Sequence, residues 1–249
     1  MNEMTRKGAV AFFAAGTYGL FGFVFADLVV HRFVVRRIKS NVQTQPGAET
    51  RTRSVVATAE AKDADRTWEF VTKEERYCPL AQTVASRLDH GWRPRQLRTV
   101  PLVLPGVLAL WRFEQQKQKQ LQEQQQQQRD WKPRWRRQTQ QLEQQQQQHG
   151  GRRLPQPTRA DVTAFTKIIT DVNRELGLPE DLVKAQFVRA FVENATAELS
   201  PVASVLGGLL AQDAINTLSQ LEQPLQNMLV FDGDESAAPV ILLAPQPDD

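Results

Sequence analysis

The residues able to do chemistry are few in this chain of 249 amino acids. Cys78 is the single cysteine, and His31, His90 and His149 are the only histidines. A lone cysteine forms no internal disulfide and supplies no Cys-rich zinc site, and it fits a reducing compartment. No two histidines are spaced to share one helix face, which argues against a metal centre. Cys78, in Arg76-Tyr-Cys-Pro-Leu80, would be a nucleophile only beside a base or a cationic helix end. It is read as structural. Gly16, Gly19 and Gly22 suggest a phosphate loop, but their spacing is G-x-x-G-x-x-G and a strand pattern follows. A dinucleotide fingerprint needs a helix there, and no Walker-type loop occurs in the chain. The stretch Arg129 to Arg137 interleaves Trp131 and Trp135 with five cations, a pattern that stacks bases and neutralises phosphates. It is read as a solubilising, weakly sticky linker, since nothing else in the chain resembles a nucleic-acid fold, and no nucleic-acid role is assigned.

Charge is divided along the chain. The net formal charge is only +3, yet residues 1–157 hold 26 basic and 14 acidic side chains, whereas residues 158–249 hold 5 and 14. A uniformly basic nucleic-acid binder is excluded.

Three regions must position whatever site exists. Residues 1–41 are apolar and rich in β-formers. Gly8 to Ala26 carries no charge and could be taken for a membrane anchor, but its glycines and aromatics favour buried strands at Ala9–Ala14, Phe23–Asp27 and Val29–Val35, with a turn at Gly16-Thr-Tyr-Gly19. Residues 42–157 have the composition of an insertion, with a Gln-rich tract over about 114–149 that is disordered or a fraying helix. Before the tract, Val100 to Phe113 is apolar, and Pro105-Gly106 opens a short helix.

Residues 158–249 are more periodic. Thr158 and Asp161 form a capping box for a helix carrying Val162, Phe165, Ile169, Val172 and Leu176 and stopping at Gly177. Pro179 opens a second helix, and Ser200-Pro201 a third that runs to Leu218. Gly207-Gly208 in its middle costs about 1 kcal/mol per glycine relative to alanine, so close approach to a sheet is expected there. On that reading Gly207→Leu weakens folding or assembly by about 2 kcal/mol or more, by blocking close helix-to-sheet contact. Met228–Phe231 and Pro239–Leu243 read as strands around a turn at Asp232-Gly233. The fold class is therefore α/β.

Two segments carry a family resemblance. Glu198 to Asp213, with Pro201, Gly207, Gly208, Ala211, Gln212 and Asp213, is followed by Leu218-Ser-Gln and by Leu229-Val-Phe-Asp-Gly233, which contains Phe231, Asp232 and Gly233. This order resembles the closing segment of the ubiquitin-like-protein-activating enzymes, and within them the smaller, non-catalytic subunit that serves SUMO. Phe12 to Leu28, with Gly16, Gly19, Gly22 and Asp27, resembles the same subunit. The resemblance implies the second half of a MoeB/ThiF-like, Rossmann-type adenylation domain interrupted by a long insertion, and a partial parallel sheet. It also implies that the family's first βαβ units lie outside this sequence. It implies a heterodimer with a larger catalytic subunit that holds ATP, Mg²⁺ and the acceptor cysteine, SUMO reached through that complex, and a nuclear or additionally cytoplasmic location. No catalytic, cofactor-binding or metal-binding residue is carried over to this chain. The alternative is a membrane-anchored, Gln-rich interaction protein held by residues 8–26.

Overall fold

The computed structural model describes residues 1–42, 44–63, 66–89, 92–131 and 159–244. His90, His149, Trp135 and the Thr158 half of the expected capping box lie outside the described residues, as does the tract beyond Trp131.

Two antiparallel sheets organise the chain. The first has the order β1-β2-β7-β8, built from Phe12–Tyr18, Phe21–Asp27, Met228–Asp232 and Val240–Ile241. The second has the order β3-β6-β5-β4, built from Val30–Ile38, Arg66–Arg76, Arg53–Asp63 and Gly47–Ala48. Among the described residues seven α-helices accompany them: α1 (Asn2–Lys7), α2 (Leu80–Val84), α3 (Pro94–Leu97), α4 (Val103–Trp131), α5 (Arg159–Glu175), α6 (Ala185–Asn194) and α7 (Ser200–Ser219). The mixed α/β class is as expected. Among the described residues the strands pair antiparallel rather than in the expected parallel sheet, because consecutive strands such as β1 and β2 are joined by a tight turn.

Every residue of β2 is buried, because both faces of the first sheet are covered. In register, Phe23 opposes Val230 and Phe25 opposes Met228, while Val24 opposes Leu229. The Phe21, Phe23 and Phe25 rings enter the main core with Leu104 and Leu108 of α4, Phe165 and Ile169 of α5 and Phe191 of α6. Phe23 meets the Trp111 ring edge-on at 4.9 Å, and Phe21 stacks on Phe191 at 5.3 Å. Val24 and Leu229 face the other way, onto Val202 and Leu206 of α7. A strand covered on both sides reads as one continuous apolar run, which is why residues 21–26 imitate a membrane segment. They lie in a β-hairpin, and no helix among the described residues is long and apolar enough to cross a membrane.

Several boundaries differ from expectation. The hairpin turn lies at Gly19-Leu20, where Gly19 has φ +62°, and Gly16 is inside β1. α4 begins at Val103 and continues to Trp131, so the helix of the Pro105 segment is long and carries the start of the glutamine tract. Pro179 opens only a single 3₁₀ turn, Glu180–Leu182, and α6 starts at Ala185 after an extended Val183. β8 is cut to two residues because the Asn227 side chain takes over the ladder: its Oδ1 accepts from the Leu243 N–H at 3.0 Å and its Nδ2 donates to the Leu243 carbonyl at 2.9 Å.

Candidate functional site

Most of the motif residues gather where β1, β2, β7 and α7 meet. Gly22 opposes Phe231 across the β2–β7 ladder and Thr17 across the β1–β2 ladder. It lies on the sheet face shared with Val24 and Leu229, so its missing side chain faces α7. A Cβ there would collide with the Leu206 side chain and the Gly16 carbonyl. Gly16 does the same on the opposite face, where a Cβ would press to 2.7 Å of the Phe23 ring. The Gly233 N–H donates to the Leu20 carbonyl at 2.8 Å, tying the turn after β7 to the β1–β2 turn. Asp232 caps its own turn, its Oδ1 accepting from the backbone N–H groups of Asp234 and Glu235 at 3.0 and 3.2 Å.

The other two acids of the motifs are held as acceptors too. Asp27 is fully buried and binds Arg6 at 2.5 Å, Asn2 Nδ2 at 2.7 Å and the Val29 N–H at 3.1 Å. Asp213 is buried under α7, and its Oδ1 accepts from the Leu225 N–H at 2.6 Å. Its Oδ2 finds no hydrogen-bond partner among the described residues. Burial pushes this carboxyl above the usual carboxylate range, and the Leu225 bond pulls the other way. Pro201 sits in the first turn of α7, as its fixed φ and missing N–H favour.

Gly207 and Gly208 depart from expectation. A Cβ at either position meets no atom within 4 Å, and both lie on the exposed side of α7. The close approach to the sheet belongs to Gly22 beneath Leu206, the residue just before the glycine pair where it was expected. The predicted loss of folding for Gly207→Leu is withdrawn with it. Ala211 and Gln212 share that outward side.

Cys78 is not an activated thiol. Its Sγ donates to the Leu243 carbonyl at 3.1 Å and shares a hydrogen bond with Thr83 Oγ1 at 3.2 Å. Burial raises its pKa, so the thiolate is scarce near neutral pH. His31 lies buried on β3, stacked at 6.3 Å on Phe33 and opposite Glu75. Among the described residues no three His, Cys, Asp or Glu side chains gather as metal ligands. A cleft of about 560 Å³ opens beside α7, and its floor includes Val24, Leu209, Leu225 and Leu229. Such a floor suits an apolar group, and the cluster as a whole is an assembly of packing and turn positions. Asn227, buried and bonded to Leu243 and Thr83, belongs to it too; a single Asn before a strand gave no signal in the sequence.

No protein-family profile matches the chain. Curated proteins do. DNA damage tolerance protein RHC31 of Saccharomyces cerevisiae is 27% identical over 237 residues, covering 94% of this chain and 57% of that protein. The chain is also similar to SUMO-activating enzyme subunit 1. The Mus musculus protein of that name is 24% identical over 257 residues, covering 99% of this chain and 59% of its own length. DNA damage tolerance protein rad31 of Schizosaccharomyces pombe is 21% identical over 243 residues, with 98% and 56% covered. The chain thus spans less than three-fifths of the length of these relatives.

Proposed function

We propose that this chain acts within the smaller, non-catalytic subunit of a SUMO-activating enzyme. It supports ATP-dependent adenylation of SUMO and its transfer to a cysteine of a larger partner subunit. The observation that carries this reading is the similarity to SUMO-activating enzyme subunit 1 over 99% of the chain. In support, the motif residues shared in that resemblance converge on one packed junction, Gly22 against Leu206 and Gly233 against Leu20.

The chemistry of the chain's own residues suits a supporting role. Cys78 is occupied by hydrogen bonds and its burial opposes ionisation, so the acceptor cysteine is assigned to the partner. The sequence offers no Gly-rich phosphate loop and the described residues offer no carboxylate cluster for Mg²⁺. ATP and Mg²⁺ are placed on the partner as well, as the resemblance implies. The enzyme is assigned to the nucleus.

The test is reconstitution. The larger subunit of a SUMO-activating enzyme is assayed for ATP-dependent SUMO thioester formation with and without the protein purified from its host. Restored thioester formation that survives Cys78→Ser supports the reading. No association with that subunit, or loss of thioester with a folded Cys78→Ser variant, overturns it.

A further inference from the structure

The two faces of the second sheet differ in how their charges are matched. Residues opposed in register point the same way. Arg36, Phe70 and Ala59 therefore form one row across β3, β6 and β5, and Ile38, Trp68 and Ala61 form the next. An antiparallel sheet usually turns polar residues towards water. This face instead shows Ile38 at 55% exposure, half-buried Trp68 and Phe70, and a line of exposed alanines at positions 57, 59 and 61. The alanines leave a shelf about 13 Å long beside the two rings. On the opposite face the cations are matched, Arg37 with Glu69 at 2.7 Å, Lys73 with Glu49 at 2.6 Å and Arg53 with Glu75. Arg36 is not. Its guanidinium carbon lies 3.8 Å from the centre of the Trp68 ring, and its side chain makes no ion pair or hydrogen bond among the described residues. Stacking holds a guanidinium on the ring and leaves its N–H edge open, the arrangement that receives a carboxylate through two parallel bonds.

We infer that this face binds an acidic peptide segment, with one carboxylate on Arg36 and an apolar side chain two residues away on the alanine shelf against Trp68 and Phe70. Charge and shape select that occupant together. The unmatched cation is complementary to an anion, and an exposed apolar patch marks an interaction site. The shelf takes about four residues of extended chain, so a free inorganic anion would leave it bare. In an extended segment, side chains two residues apart share one face, which lets the carboxylate and the apolar group dock side by side. Nucleic acid is disfavoured because Asp63 and Glu74 share the face, whereas a phosphate backbone is met by a run of cations. A second copy of this chain is disfavoured because pairing the face with itself sets the same unmatched cation on both sides of the contact. This inference is independent of the SUMO reading.

The probe is a fluorescein-labelled Gly-Glu-Ser-Phe-Ser-Phe-Ser-Gly peptide, titrated with the full chain and read by fluorescence anisotropy. The expected result is saturable binding that Arg36→Gln and Ala59→Glu each weaken at least tenfold, the first by removing the cation and the second by filling the shelf with a repelling charge. Both positions are exposed, so the variants keep the fold, and circular dichroism checks this. The same labelled peptide with glutamine in place of glutamate should bind at least tenfold more weakly. Lys62→Gln, at an exposed position of β5 beside Ala61 but on the other face, should leave binding within twofold. No saturable binding, equal binding of the glutamine peptide, or binding that either variant leaves unchanged overturns the inference. So does tighter binding of a labelled oligothymidine of similar length, or a dimer of the chain in sedimentation that Ala59→Glu dissociates.

Discussion

Leu206 of α7 occupies the space that a side chain at residue 22 of β2 would need. The Leu206 side chain packs directly onto the strand backbone there, and the sheet face beneath α7 is otherwise lined by Val24 and Leu229. Gly22→Val therefore forces α7 off the sheet. Overpacking of this kind costs about 1–3 kcal/mol. Chemical denaturation of the purified variant should show that loss, and pairing it with Leu206→Ala should recover part of it, because the two residues contact one another. A recovery of zero would mean that the strain lies against the Gly16 carbonyl instead.

That junction also shows what the sequence could and could not convey. The strand run through Phe21–Ala26 and the helix from Ser200 to Ser219 were legible, since apolar runs and a proline start report directly on burial and helix entry. Which side of α7 meets the sheet was not, because its apolar, glycine and small polar residues are spread around the helix and its one charged residue, Asp213, is buried, so periodicity marks no polar face. Likewise the β5–β6 hairpin escaped notice. The charges of β6 sit on both of its faces and are satisfied by its other neighbour β3, as in Arg32–Glu74 at 2.8 Å and Arg37–Glu69 at 2.7 Å, so polar and apolar residues do not alternate cleanly. Asn227 was invisible for another reason: its value lies in bonds to Leu243 and Thr83, which are distant in sequence.

Asp27 locks the N-terminal helix to the fold. Its carboxylate collects Arg6, Asn2 and the Val29 N–H, and Asn2 in turn accepts from the Leu80 N–H at 2.9 Å. Asp27→Ala leaves these donors unmatched, Asn2 in a buried setting. The expected cost is about 1–3 kcal/mol, and hydrogen exchange should rise first in Asn2–Lys7 and at Leu80. Unaltered protection of α1 would show that its apolar contacts suffice.

Asp213 sets a pH dependence with a definite sign. Its folded pKa is raised by burial, so the folded protein binds a proton more tightly than the unfolded chain. Stability from this group is then highest at low pH and declines as pH rises from the unfolded value near 4 through the raised folded value. Asp213→Asn keeps an acceptor for the Leu225 N–H and removes the buried charge. The variant's stability relative to the unsubstituted protein should be greater at pH 8 than at pH 4 in urea titrations. An advantage that does not change with pH would show that Asp213 ionises freely in the folded state.

Cys78 offers a check on the proposal that the acceptor cysteine lies on a partner subunit. An acceptor cysteine needs an accessible thiolate, whereas here the thiol donates to the Leu243 carbonyl, contacts Thr83 and is held in the neutral form by burial. Iodoacetamide at pH 7.5 should alkylate the folded protein at least tenfold more slowly than the urea-unfolded chain. The rate should climb with pH well past the point where an ordinary thiol levels off. Because Asn227 also points its amide at this sulfur at 3.5 Å, Asn227→Ala should loosen the pocket and speed alkylation without activating the thiol. Rapid alkylation of the folded protein at neutral pH would contradict the buried, hydrogen-bonded thiol and reopen a catalytic role for this residue.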